Sequence, residues 1–333
     1  MGSEMCIRDR VYTLLQDDFY DAVWEFNHDN PDPLYIIHGV WIDDYVLYSH
    51  RDAYSKDFLN EFLRDSRILV DMIHGNKRFS LGEDLGSGSY TKDISPWVLG
   101  YILGVEWEDT TVAFTDHMQE ERDSYEGKYM RTTEEATPFE TMLAQVGDKI
   151  IEYETEKYSS QRLIAFSNWP TTDPLEWNQT VEWYFRKFEQ VDVEHIKTTD
   201  EFLSGQFASY HIYPYFPDYL SFLYYAYQQG EVAQDNYSKR LTDSEGFLHY
   251  MQKVKRYMAE SGIEETYPVY VTEWNLTISD RNYINDTCFK GAYVVKNILD
   301  CYPLCEGMAL FQGSDRTSEY YDSHDMLYGG CLL

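Results

Sequence analysis

Seven short apolar runs, separated by stretches with helical signatures, constrain the fold of this chain more than any other feature. They are VYTLL at 11–15, LYIIH at 34–38, WVLGYILG at 97–104, LIAF at 163–166, FASYH at 207–211, VYV at 269–271 and MALF at 308–311. Most are apolar almost without interruption, as strands covered on both faces are. Such strands alternating with helices imply a parallel sheet with crossover helices. Seven runs are one fewer than a closed barrel needs. The expected fold is therefore an α/β (β/α)8 TIM barrel lacking its first strand, occupying residues 11–333 as a single domain. A length of 333 residues fits one large core of that kind. No internal repeat of solenoid period and no low-complexity linker divides it.

Helix signals support the alternation. Thr137, Pro138 and Glu140 form a capping box with proline at the first helical position. Phe139, Leu143, Val146, Ile150 and Tyr153 then recur at spacings of three and four, giving one apolar stripe. Phe247, Met251, Val254 and Met258 repeat the pattern, and Gly262 is placed to end that helix. The opening MGSEMCIRDR has mixed charges and no apolar core, so it is not a secretory signal; residues 1–10 read as a non-native tail. Localisation, extracellular or cytoplasmic, stays open.

With 58 acidic against 27 basic residues, the formal net charge is -31. Such a surface repels phosphate backbones and anionic lipid, which argues against nucleic-acid and membrane partners. The apolar stretch from Trp97 to Val105 is about half of what a spanning helix needs. The five cysteines form no CxxC pair and the sequence has no HExxH, so the reading contains no metal site, no redox motif and no cofactor.

In barrels the chemistry sits just beyond the C-terminal ends of the strands. Two glutamates stand there. Glu106 follows WVLGYILGV, Glu273 follows PVYVT, and each precedes a tryptophan, Trp107 or Trp274. Glycoside hydrolysis requires two carboxyl groups, one protonated to release the leaving oxygen and one ionised to attack the anomeric carbon. Trp41, Trp97, Trp107, Trp169 and Trp274 lie in or beside strand ends, and aromatic faces stack on the C–H faces of sugars. Trp41, Trp107, Trp169, Tyr215, Trp274 and Asn275 form the expected sugar-binding set. Each has a plainer reading: Glu273 as a helix cap or a partner of Arg281, Glu106 as one of two carboxylates with Glu108, the tryptophans as packing, and His38 and His74 as structural histidines.

The stretch PVYVTEWNLTISDRNYINDTCFKGAYVVKNILD, with SDRTSEYYDSHDMLYGG beyond it, resembles the end of family 39 glycoside hydrolases of clan A. The centre, from DMIHGNKRFS through SPWVLGYILGVEWED and FSNWPTTDP to FASYHIYPYFPDYL, is similar to clan A-type barrels attached to bacterial family 2 glycosyltransferases. The first resemblance implies a retaining hydrolase acting on substrates such as β-xylosides; few basic residues fall near the expected site, which favours an oligosaccharide or polysaccharide of neutral sugars, and the expected reaction needs no metal. The resemblance makes Glu106 the acid/base at strand four, Glu273 the nucleophile at strand seven, and His211 or Tyr213 the group that orients Glu273. The chain departs from the clan pattern at Val105, where an asparagine usually precedes the acid/base. The second resemblance implies an alternative, a non-catalytic glycan-binding barrel accessory to polysaccharide synthesis or export. An inverting enzyme is a third reading, distinguished by a wider carboxyl separation.

Overall fold

The computed structural model describes residues 7–42, 52–80, 86–104, 106–174, 179, 183, 187, 189–211, 244–262, 267–276 and 287–310. They form a mixed α/β structure with a four-stranded parallel sheet and six helices. The chain divides into two compact units, Asp9–Ile212 and a second made of Met1–Arg8 with Tyr213–Leu333.

The parallel sheet runs β1 (Ile7–Val11), β2 (Tyr35–Val40), β5 (Val98–Leu103), β7 (Leu163–Phe166), in that spatial order, and all but the first two residues of β1 belong to the larger unit. Helix α1 (Asp17–Asn27) joins β1 to β2, α2 (Lys56–Ile73) leads towards β5, and α3 (Asp109–Met118) and α4 (Pro138–Tyr158) lie between β5 and β7. Each strand thus adds to the same growing edge. Right-handed crossovers progressing in one direction put their helices on one face of the sheet. One further parallel bridge, Ile164 to Gln206, marks the next position along that edge. Two small antiparallel pairs interrupt the crossovers: β3 (Lys77–Ser80) with β4 (Ser87–Tyr90), and β6 (Met130–Thr132) with β8 (Ile196–Thr198).

The core lies between sheet and helices. Ile36, Val40, Tyr101, Leu103, Ile164 and Phe166 pack with Phe58, Phe62 and Leu69 of α2 and Phe139, Leu143 and Val146 of α4. Burying each such side chain contributes about 1.5–3 kcal/mol. Helix α4 starts as its sequence requires: Thr137 accepts from the Glu140 N–H while the Glu140 carboxylate accepts from the Thr137 N–H. In the second unit, β9 (Tyr270–Trp274) pairs in parallel with β10 (Gly307–Leu310), and α5 (Gly246–Glu260) and α6 (Cys288–Cys301) accompany them.

Two sequence expectations are corrected. The first strand is Ile7–Val11 rather than 11–15, so the segment set aside as a tail contributes strand residues. The run at 207–211 forms no strand among the described residues; its pairing is a single parallel bridge at Gln206, with the Phe207 N–H donating to Ile164 O at 3.0 Å. Among the described residues no helix is long and apolar enough to cross a membrane.

Candidate functional site

The position of Glu106 follows from a turn at the end of β5. Gly104 continues the ladder through its N–H to Val40 O at 3.0 Å, then adopts φ +70°, a conformation that favours glycine. The Trp107 ring occupies the space a β-carbon at Gly104 would need. That ring is 1% exposed, edge-on to Phe139 at 5.0 Å and tilted against Phe62 and Phe58. Trp107 is therefore a core residue that anchors the turn. It offers no open face to a sugar, which corrects its assignment to the binding set. The Glu106 side chain remains at the strand end and is 20% exposed. Val105 lies outside the described residues.

His211 meets Glu106 there. Its Nδ1 is 3.1 Å from Glu106 Oε1, and its side chain is 1% exposed. Its Nε2 is 3.0 Å from Arg10 Nη2. A guanidinium only donates, so Nε2 accepts and a neutral ring carries its proton on Nδ1, on the side of the Glu106 carboxylate. Arg10 comes from β1, is itself buried, and stands with its guanidinium 4.7 Å from the Tyr12 ring centroid. The result is a chain of contacts, Arg10 to His211 to Glu106, within the unit Asp9–Ile212. The sequence reading paired His211 with Glu273; the structure gives it Glu106 as a partner. Arg10 was missed because the first ten residues were discounted. Its adjacency to an apolar strand run was the available signal.

A rigid turn beyond β7 forms the adjoining wall. The Trp169 N–H donates to Thr172 Oγ1 at 3.2 Å, Thr172 N–H to Trp169 O at 2.9 Å, and Val191 N–H to Thr172 O at 2.8 Å. Trp169 is half-buried, with its ring edge-on to that of His211 at 6.0 Å between centroids. Asn168, before it, accepts the His211 backbone N–H on Oδ1 at 3.1 Å. Trp41, immediately after β2, is also half-buried.

In the second unit, Glu273 lies within β9 rather than after it and is half-buried. Trp274 is 4% exposed, stacked on Phe247 at 5.3 Å and tilted against Tyr293 at 6.4 Å. Both contacts make it core packing, which corrects its assignment as a sugar platform. Asn275 accepts the Leu276 N–H on Oδ1 at 2.7 Å. Tyr213, Tyr215 and Arg281 lie outside the described residues.

His38 and His74 are structural. His38 is fully buried, donates from Nδ1 to Gly39 O at 2.9 Å and accepts from the Tyr20 hydroxyl at 2.8 Å. Burial pulls its pKa down to about 4, so the ring is neutral. His74 donates to Glu154 at 2.9 Å and stacks on Tyr158 at 3.9 Å, in a cluster where Arg162 also pairs with Glu154. Among the described residues no group of three or more His, Cys, Asp or Glu side chains is placed to hold a metal ion.

No family model, curated protein or solved structure matches this chain.

Proposed function

We propose that the chain is a glycoside hydrolase of the retaining type on a (β/α)8-barrel plan, cleaving O-glycosidic bonds between neutral sugars. The observation that carries this reading is the contact of Glu106 with His211 at the end of a parallel strand. It places a partly exposed carboxyl group on a buried imidazole that Arg10 holds in turn, with the half-buried indole of Trp169 alongside. The one-directional strand order supports the barrel plan, since a doubly wound sheet reverses its order midway.

In the proposed reaction the Glu273 carboxylate attacks the anomeric carbon as the bond to the leaving oxygen breaks, and that oxygen takes the proton from Glu106. Glu106, now ionised, removes a proton from water. The water oxygen then displaces Glu273 from the same carbon, and the sugar leaves with its configuration retained. The His211 ring beside it holds the Glu106 carboxyl group in place through both halves.

The test is a panel of chromogenic 4-nitrophenyl glycosides. At least one is turned over. Glu273→Gln abolishes the rate, and Glu106→Gln lowers it by about 10²–10⁴. A 2-deoxy-2-fluoro glycoside leaves a covalent sugar on Glu273, detectable by mass spectrometry. Turnover that survives both substitutions rejects the assignment. Glycan binding with no turnover supports the second reading, a non-catalytic glycan-binding barrel, which Val105 in place of an asparagine favours.

A further inference from the structure

The carboxamide of Asn168 is 2% exposed, and only half of it is used by the protein. Its Oδ1 accepts the His211 backbone N–H, which fixes the orientation of the amide because only the oxygen accepts. Nδ2 then carries two N–H donors. Among the described residues no protein acceptor meets these donors. The group cannot swing away to find solvent without giving up the His211 bond. It is also held in sequence by the Trp169–Thr172 turn, whose hydrogen bonds leave little freedom at residue 168.

Asn168 and Glu106 both meet His211, the first bonded to its main-chain N–H and the second 3.1 Å from its ring Nδ1. The amide, the carboxyl group and the Trp169 indole are therefore grouped around one residue, His211. Donors without protein partners beside an aromatic face suit an oxygen-rich ring: the indole takes the C–H face and the amide takes a hydroxyl.

We propose that Asn168 Nδ2 donates a hydrogen bond to one hydroxyl oxygen of the sugar ring bound against Glu106, and so selects for that hydroxyl. The inference rests on the hydrolase reading for its reaction and on the amide geometry for its ligand. All of the residues it uses lie within the unit Asp9–Ile212. Asn168 thereby supplies an amide contact that the apolar side chain of Val105 lacks the chemistry to make.

The experiment compares a 4-nitrophenyl glycoside that the protein turns over with its monodeoxy counterparts, in the wild type and in Asn168→Asp. Aspartate keeps the acceptor for His211 N–H and loses both donors. Asn168→Ser, which adds no charge, is assayed beside it, and melting curves report whether both variants stay folded. In the wild type, kcat/KM falls by about tenfold or more when one particular hydroxyl is removed. In the variants the parent glycoside loses a similar factor, and removing that hydroxyl costs nothing more. Equal losses on every glycoside, or no loss on any, overturn the proposal. If no glycoside is turned over, the same comparison is made on dissociation constants for glycans found on an array. Selective loss at one hydroxyl then sustains Asn168 while rejecting hydrolysis, and an array with no bound glycan overturns both.

Discussion

Arg10 decides where the proton sits on His211. With the guanidinium donating to Nε2, the ring is held as the Nδ1–H tautomer, and Nδ1 stands 3.1 Å from Glu106 Oε1. Replacing Arg10 with methionine preserves much of the buried bulk and removes the donor. The imidazole is then free to carry its proton on Nε2 and to present a lone pair to the Glu106 carboxylate, which repels it. Nitrogen-15 shifts of the His211 ring should show Nδ1 protonated in the wild type and a mixture of tautomers in Arg10→Met. Turnover of the best glycoside should fall about tenfold, the size expected of one charged hydrogen bond lost from the support of a catalytic group. A ring that stays Nδ1-protonated in the variant overturns this role. Glu106 and His211 were both legible in the sequence, because a carboxylate or histidine just beyond an apolar strand is conspicuous. Their pairing was not legible, since sequence spacing carries no information on which strand ends face each other. Arg10 was hidden for a different reason: the strand IRDRV reads as charged tail unless its burial is known.

Among the elements, α4 shows how a local signal can be read in full while its tertiary use stays invisible. The capping box at Thr137 and Glu140 forms as expected. Glu140 does more, however: it is 1% exposed, and its carboxylate also accepts the Asp192 N–H at 2.6 Å and meets His195 Nδ1 at 2.7 Å. Burial raises its pKa, against the lowering effect of these hydrogen bonds. One side chain thus ties the start of α4 to the turn that leads into β8. Thr137→Ala removes one cap bond and should destabilise by about 1 kcal/mol. Glu140→Ala strands several buried donors at once and should destabilise by about 3 kcal/mol or more. Urea titrations of the two variants check the ratio; equal losses would mean that the link to residues 192–195 contributes nothing. The β3–β4 and β6–β8 pairs escaped the sequence reading because KRFS, SGSY, MRT and IKT are too short and too polar to show an apolar period. The tryptophans divide on the same principle. Trp107 and Trp169 both follow a strand, but only Trp107 follows a glycine whose positive φ folds the indole back into the core.

For the whole molecule the dominant quantity is charge. Fifty-eight acidic residues face 27 basic ones, and many of the described cations are already paired: Lys157 with Asp71, Arg162 with Glu154, Lys149 with Glu152, Lys296 with Asp300. The surplus of 31 negative charges is left to repel itself across the folded surface, a repulsion that expansion on unfolding relieves. Added salt weakens both the pairs and the repulsion. Exposed pairs contribute only about 0–1 kcal/mol each, and the most buried one, Arg162 with Glu154, is screened least. The repulsive sum therefore loses more than the attractive one as the screening length shortens from about 30 Å at 0.01 M to about 10 Å at 0.1 M. The melting temperature should accordingly rise with sodium chloride over that range and flatten towards about 1 M, where the screening length is about 3 Å. Sucrose of equal osmolality, which does not screen, separates this effect from general exclusion of solute from the surface. A melting temperature that falls with salt would mean that paired charges, not the acidic surplus, govern the electrostatic part of the stability.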